Sequence, residues 1–376
     1  MSPAFSGNSL RSKVPIMNKY IDLVMARCGE LSAKKEDINV GKLLNWLCMD
    51  VAADLSCNWK LHQVRDSKNH SFLDGMEAAS FTVILLVSAK NYPILILLAP
   101  FFLPWKTIRA IPSMFKELRM QVDKRTRTSS DSAHSDYLEQ ILPNNKATFV
   151  NGERMKHIVN VAAQLIVGGY DPTSVAIYMM FFFMLQNPEV IEPLKDEIRR
   201  SFRTYEDIDF ETLRTLPWIN ACMEETLRLS ASATHHSLPR QSPGGIVNGE
   251  YIPQGVLCRT SLFTYSRSER YFYDAKSFRP QRWLREGHPM YDSRFSGDNK
   301  SAHMPFITGP RQCPGREVAR IMFRLIIAKI IWLFDIEQTS KRLDFERDFA
   351  AYGMWTKPEL RVRLSRAKRE SNKAQV

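Results

Sequence analysis

The residues best suited to chemistry in this 376-residue chain lie close together, at positions 306–315. Cys313 stands directly before a proline, a residue suited to the first position of a helix. A helix N-terminus stabilises a thiolate through its dipole and its free N–H groups, so the sequence predicts a lowered pKa for Cys313. Gly309 and Gly315 let a bulky planar ligand approach the backbone, and Arg311 can bind a carboxylate.

Together these residues predict a haem pocket in which the thiolate of Cys313 is the axial ligand of the iron. The alternative is a buried cysteine in an arginine-rich turn, which would be preferred for a cysteine without these neighbours. The remaining cysteines form no C-x-x-C pair and no cluster with histidine at zinc spacing, so we expect reduced, small apolar residues. They are Cys28, Cys48, Cys57, Cys222 and Cys258.

A second candidate site lies in the middle of the longest predicted helix, residues 153–187. This helix is apolar on nearly all sides, which is typical of an element buried in a large core. At its midpoint Gly168, Gly169 and Pro172 oppose helix formation, at about 1 kcal/mol for each glycine and about 3 kcal/mol for the proline. Local rules are most often broken where function requires it. A transmembrane span is disfavoured, since Asp171 near the bilayer midplane would cost about 2.5–3.5 kcal/mol.

The run at 306–315 resembles the haem-binding signature F-x-x-G-x-R-x-C-x-G of the cytochrome P450 superfamily, and the signature is complete. Glu225 and Arg228 resemble the E-x-x-R of the family's K helix, and the segment 278–283 resembles its F-x-P-x-R-F/W. Taken alone, a Glu–Arg pair at this spacing is more often a surface ion pair worth little. The resemblance implies instead that Glu225, Arg228 and Arg282 form a buried network behind the haem.

The resemblance also implies roles at the helix centre. Gly168 and Gly169 resemble the first positions of the A/G-G-x-D/E oxygen-binding groove, with Asp171 as the acid that relays protons. Where the family usually has threonine after the acid, this chain has Pro172, followed by Thr173, which becomes the candidate relay hydroxyl. Proline lacks an N–H and frees the carbonyl of Gly168, which would widen the groove.

Arg240 lies where the family places a second arginine for the haem propionates. The implied cofactor-binding residues are therefore Gly168, Gly169, Arg240, Phe306, Gly309, Arg311, Cys313 and Gly315. Order along the chain places residues 230–238 and 352–354 beside the substrate.

The fold class expected from the pattern is mainly α with small β-sheets. Helical spacing or composition predicts helices at 39–59, 188–202, 217–230 and from about 316 to 334, while alternation and turn residues predict strands over 246–265. The apolar segment 81–105 is interrupted by Lys90-Asn91 and by prolines, so we expect a surface loop that enters a membrane or covers the substrate entrance. Residues 123–136 are expected to form a polar linker.

The resemblance divides the chain into one catalytic domain at 1–364 and a basic tail at 365–376. Because its opening resembles the end of the family's C helix, we expect a P450 fold that lacks the membrane anchor, the A and B helices and most of the C helix. The chain has a formal charge of +12, but it has no basic stripe interleaved with aromatic residues of the kind that nucleic-acid binders carry. An acidic partner or an anionic membrane surface is the better interpretation of the positive charge.

Arg316, Arg320 and Arg324 recur every four residues after Cys313. Their spacing predicts one basic helix face, interpreted either as a solvated surface or as a docking site for an acidic electron donor.

The function implied by the resemblance is that of a haem-thiolate monooxygenase of fungal secondary metabolism, which inserts one oxygen atom from O2 into an apolar small molecule. Its cofactor would be haem b. Its electrons would come from an NADPH-dependent flavoprotein reductase at the cytosolic face of the endoplasmic reticulum membrane, since the chain has no G-x-G-x-x-G nucleotide-binding motif. The alternatives are a reductase-independent isomerase or peroxygenase and an inactive haem-binding remnant.

Overall fold

The computed structural model describes residues 2–78, 105–127, 135–141, 152–231 and 240–367, together with Thr82, Tyr92 and Ile94. Most of the predicted apolar loop at 81–105 and most of the predicted substrate-bordering segment 230–238 therefore lie outside the described residues.

Helices make up most of the described chain. They are α1 (Gly7–Ala33), α2 (Val40–Cys57), α3 (Gln63–Asp66), α4 (Trp105–Arg127), α5 (Tyr137–Ile141), α6 (Gly152–Gln186), α7 (Pro188–Ser201), α8 (Phe210–Thr215), α9 (Pro217–Leu229), α10 (Leu262–Ser266), α11 (Arg316–Leu333) and α12 (Phe345–Asp348). The strands are β1 (Ile38–Asn39), β2 (Arg240–Gln241), β3 (Gly245–Val247), β4 (Glu250–Ile252), β5 (Leu257–Cys258), β6 (Phe334–Gln338), β7 (Ala351–Tyr352), β8 (Met354–Trp355) and β9 (Arg361–Arg366).

The centre of the core is α6, which runs unbroken through Pro172. Its C-terminal half, Val175–Met184, is buried throughout. Each buried aliphatic or aromatic side chain stabilises the fold by about 1.5–3 kcal/mol, so a few of them outweigh the helix penalty of about 5 kcal/mol from the two glycines and the proline. α6 is long and apolar enough to cross a membrane, but 67% of its most apolar window is buried inside the protein.

α2 packs along α6, and α11 lies against α6 from another side. α2 begins at an N-cap, Asn39, whose side chain accepts a hydrogen bond from the backbone N–H of Lys42. It ends where Asn58 takes a left-handed conformation with φ +53°. Both caps agree closely with the predicted helix at 39–59.

A three-stranded antiparallel sheet in the order β1-β9-β6 closes the chain against this core. In β9, Val362 and Leu364 are buried while their neighbours are exposed, the alternation of a sheet with one face on the core. Arg366 is paired with Phe334 of β6, so the strand continues two residues beyond the predicted domain boundary at 364.

Two predicted segments differ from the structure. The predicted strands at 246–265 form the β3–β4 hairpin and β5, but the last residues form α10, because Ser261 caps a helix there with its hydroxyl. The predicted polar linker begins within α4 and ends at Asp136, which is fully buried in an ion pair with Arg125; a paired carboxylate can be buried where an unpaired one cannot.

Candidate active site

The loop before α11 is folded back on itself by backbone hydrogen bonds. The N–H of Cys313 donates to the carbonyl of Phe306 at 3.0 Å, and the N–H of Gln312 donates to the carbonyl of Gly309 at 3.0 Å. Gly309 has φ +83°, a left-handed conformation that favours glycine. Ile307 also has positive φ, at +50°, which is an outlier for a β-branched residue and marks strain in the loop.

Cys313 is exposed, whereas four of the other five cysteines are buried. Surrounding protein nevertheless raises the pKa of the Cys313 thiol, while the N–H of Gly315 and the charge of Arg316 act to lower it. The predicted lowering at the helix N-terminus is therefore wrong for the protein alone, because desolvation of the thiolate outweighs the local dipoles. A coordinated metal ion deprotonates a thiol outright, so this does not disfavour ligation.

The other predicted cofactor-binding residues are carried by two parts of the chain, the cysteine loop and β2. Gly315 caps α11, and a Cβ added there would lie 3.9 Å from the Sγ of Cys313. Arg311 is exposed beside the cysteine. Arg240 is exposed on β2, opposite Cys258 of β5. Arg311 is thus placed by the loop itself, whereas Arg240 is carried by a separate two-stranded sheet.

An exposed strip of the N-terminal half of α6 reaches the centre of the helix. Gln164 and Gly168, four residues apart and hence on one face, are both exposed. A Cβ added at Gly168 would meet no atom of the described residues within 4 Å, whereas one added at Gly169 would lie 3.1 Å from the Cβ of Ala52 on α2. The two predicted groove glycines therefore differ: Gly168 faces open space, and Gly169 permits the close approach of two helices.

Thr173 follows Gly169 by four residues, so it lies on the side of α6 that faces α2. It is buried, with 6% of its surface exposed. The position on the Gly168 side is taken by Pro172. This placement gives no support to the predicted relay role of Thr173, because the extra proline shifts the hydroxyl by one helical step.

α11 meets the centre of α6 at a small apolar cavity of about 30 Å³. Leu165 and Gly169 line it from α6, and Val318 and Met322 line it from α11. The helix that begins at the cysteine loop is therefore packed against the helix segment that carries Gly168 and Asp171.

Asp171 is held by a lysine that the sequence analysis did not single out. The Nζ of Lys357 lies 3.1 Å from Oδ1 of Asp171 and 3.0 Å from Oγ of Ser174. The ammonium also lies 5.4 Å from the ring centre of Tyr170. Only 11% of the Lys357 side chain and 25% of the Asp171 side chain are exposed. One carboxylate oxygen is thus fixed at the edge of the exposed strip.

Glu225, Arg228 and Arg282 lie together and are fully buried. Arg228 binds the Glu225 carboxylate through two nitrogens at 2.8 Å each, and Nε of Arg282 binds it at 3.0 Å. The indole N–H of Trp283 donates to the second carboxylate oxygen at 2.9 Å. Burial by itself raises the pKa of Glu225, but the two arginines and these hydrogen bonds outweigh it and hold the pKa below the usual range.

The two arginines also bind the irregular chain that precedes the cysteine loop. Arg228 donates to the backbone carbonyls of Ser266, Ala275 and Ser277. Arg282 donates to the carbonyls of Tyr273 and Asp274 and to the carboxylate of Asp298. The network therefore fastens residues 266–298, which have little regular structure, to α9.

The predicted basic face of α11 is mostly occupied within the protein. Arg320 binds Glu224 at 2.7 Å and lies over the ring of Phe306, and Arg324 is buried and binds Asn220 at 2.7 Å. Arg316 alone of the three is exposed, in contact with a neighbouring glutamate. The interpretation as a three-arginine docking face is wrong, since two of the three charges hold α11 against α9.

Cys313 and the residues around it fit a haem. An exposed cysteine at the start of α11 is a suitable thiolate ligand for iron, and the exposed run 308–314 presents Arg311 for a carboxylate. On α6, Gly168 leaves space that any side chain would fill. No group of three or more His, Cys, Asp or Glu side chains within the described residues could hold a metal ion by itself.

Comparisons with known proteins identify the family and the fold. The cytochrome P450 family model matches residues 1–362. The chain is 36% identical to the cytochrome P450 monooxygenase TwmD of Talaromyces wortmannii over 97% of its own length and 71% of that protein. It is 28% identical to averantin hydroxylase of Dothistroma septosporum, over 96% of this chain and 67% of that one. The crystal structure of the cytochrome P450DA heme domain shares the fold, with a TM-score of 0.77 at 16% identity, covering 97% of this chain and 76% of that one.

Proposed function

The chain belongs to the cytochrome P450 family and is a P450-type oxidoreductase, and from that premise we propose that it is a haem-thiolate monooxygenase acting on an apolar small molecule of fungal secondary metabolism. The observation that carries this proposal is the exposed Cys313 thiol at the start of a helix packed against the glycine-containing centre of α6. Fungal relatives named as monooxygenases and as a hydroxylase support the reaction class.

Cys313 would ligate the iron of haem b, and Arg311 and Arg240 would bind its carboxylates. When bound, the haem supplies iron that binds O2 and activates it by reduction, with the thiolate favouring cleavage of the O–O bond. Gly168 would leave room for the small ligand beside the helix, because no atom of the described residues lies within 4 Å of a Cβ added there. The hydrogen bond between the N–H of Cys313 and the carbonyl of Phe306 fixes the backbone that carries the thiol.

Asp171 would deliver protons to the reacting oxygen. It is the one acidic residue in the groove motif, and its Oδ1 is held by Lys357 at 3.1 Å. A positioned acid typically contributes about 10²–10⁴-fold to a step that transfers a proton. An NADPH-dependent flavoprotein reductase would supply the electrons, and the cytosolic face of the endoplasmic reticulum membrane is the location that the family suggests.

The placement of Thr173 favours a second candidate, a reductase-independent isomerase or peroxygenase of the same fold. Thr173 lies on the side of α2, and Pro172 takes the place next to Gly168. A groove without a relay hydroxyl suits chemistry that does not consume protons. Product formation without NADPH and reductase would identify this candidate, and strict dependence on both would exclude it.

The reduced carbon-monoxide difference spectrum tests cysteine ligation. We expect a red-shifted Soret band from the wild-type protein that is lost in Cys313→Ala. Cys258→Ala is the matched control, since Cys258 is the other exposed cysteine, and it should keep the band. A Cys313→Ala protein with the wild-type band would refute the proposal.

A further inference from the structure

Behind the proposed relay acid lies a cluster of polar groups from four separate parts of the chain. Lys357 follows β8 and reaches Asp171 on α6. Asn45 of α2 donates from Nδ2 to Oε1 of Glu77 at 2.7 Å, and Glu77 belongs to the helical segment 71–78. None of these contacts follows from the motifs that define the site.

The Lys357–Asp171 pair influences the Glu77 carboxyl electrostatically. Burial raises the pKa of the Glu77 carboxyl, and the negative charges of Asp74 and Asp171 raise it further. Lys357 and the hydrogen bond from Asn45 act in the opposite direction. The net rise keeps Glu77 protonated to a higher pH than an ordinary glutamate. The packing of α2 brings the two pairs together, since a Cβ added at Gly41 would lie 3.5 Å from the Cβ of Lys357 and Asn45 follows Gly41 by four residues on the same helix face.

Asn45 supplies an observation independent of these charges. The residue is buried, with 8% of its surface exposed, yet its Oδ1 has no hydrogen-bond partner in the described part of the chain. An unpaired buried acceptor is costly, and ordered water commonly satisfies such groups. A water held by Oδ1 would lie beside the carboxyl that the same side chain binds.

Glu77 also reaches solvent, since the residue is exposed on its outer side. A carboxyl with a raised pKa, open to bulk water on one side and tied to a buried amide on the other, has the properties of a proton donor at an entry point.

We propose that Glu77 is the proton-uptake group that resupplies Asp171, through water held by Asn45 and through the Lys357 ammonium. This inference rests on the proposed function, in which Asp171 delivers protons. In one transfer Glu77 loses a proton to the water, Lys357 passes one proton to Asp171 and regains one from the water, and Asp171 becomes neutral. Lys357 ends with the charge it began with, and Glu77 takes a new proton from solvent.

Infrared spectroscopy of the resting protein tests the uptake group without turnover. We expect a protonated-carboxyl band that titrates above the pH of an ordinary glutamate, disappears in Glu77→Gln and shifts in Asn45→Ala and Lys357→Met. Glu192→Gln removes an exposed carboxylate of α7 and should leave the band unchanged. A Glu77→Gln protein that keeps every protonated-carboxyl band of the wild-type protein would overturn the inference.

Turnover with reductase then separates this inference from the proposed function. We expect Glu77→Gln to lower the product formed per NADPH by roughly tenfold, less than the full general-acid contribution because water replaces one member of a relay in part. Lys357→Arg, which keeps the charge, should recover more than Lys357→Met. Suppose that Asp171→Asn lowers the product formed per NADPH while Glu77→Gln forms as much product per NADPH as Glu192→Gln. The uptake role of Glu77 is then wrong, and proton delivery by Asp171 is still supported. If Asp171→Asn is fully coupled, the relay is wrong and Glu77 has nothing to supply.

Discussion

Removal of Arg282 should destabilise the protein far more than removal of an arginine at the surface. The Arg282 side chain has no exposed area, and its partner Asp298 is 1% exposed. Arg282→Met would leave the Asp298 carboxylate buried without a cation, while Glu225 would keep its two bonds from Arg228. Breaking a buried pair by removing one partner typically costs about 3–5 kcal/mol of the free energy of unfolding.

The assay is urea unfolding of the haem-loaded protein followed by circular dichroism. Arg294→Met is the matched control, because Arg294 lies in the same irregular region but is 67% exposed and pairs with the neighbouring Asp292. An exposed pair is worth about 0–1 kcal/mol. Asp298→Asn added to Arg282→Met should recover about 1–3 kcal/mol, since it removes the unpaired charge. A loss below about 1 kcal/mol in Arg282→Met, equal to that in the control, would refute a stabilising role of the network.

Two further predictions concern single residues. Gly169→Ala should destabilise the protein by about 1–3 kcal/mol relative to Gly168→Ala in urea unfolding, because its Cβ would lie 3.1 Å from that of Ala52 whereas Gly168 has open space; equal stabilities would contradict this. The pKa of Glu225 is lowered in the folded protein, so its contribution to stability is present above the unfolded pKa of about 4.3 and is lost as pH falls through the folded value. The stability gap between wild type and Glu225→Gln should therefore narrow below about pH 4 in acid titrations followed by circular dichroism, and a gap that widens there would contradict it.

The sequence predicted the long helices well, because their signals are local. The buried face of α2 repeats at helical spacing, and caps mark both of its ends. The glycine and proline positions in α6 were recognised as costly, yet local propensity could not decide whether the helix would break. Burial of its C-terminal half decided that, since tertiary packing outweighs the local penalty.

The helix α1 shows the opposite case. Its buried residues, from Leu10 to Cys28, repeat at helical spacing, but polar residues and an internal proline separate them. These interruptions hide the helix from a search for an uninterrupted apolar pattern. Its buried positions nevertheless repeat with helical periodicity, which is the local signal that predicts it.

By itself, the sequence determined the family, because Cys313 and the residues around it form a motif whose spacing is set by one loop and one helix start. The tertiary structure alone decided the partners of those residues. It placed Lys357 on Asp171 across 186 positions, committed Arg320 and Arg324 to α9, and turned Gly169 toward Ala52 while leaving Gly168 open. The physical reason is that a side chain's type and its helix phase are local properties, whereas the neighbour it meets and the solvent it loses depend on how distant elements pack.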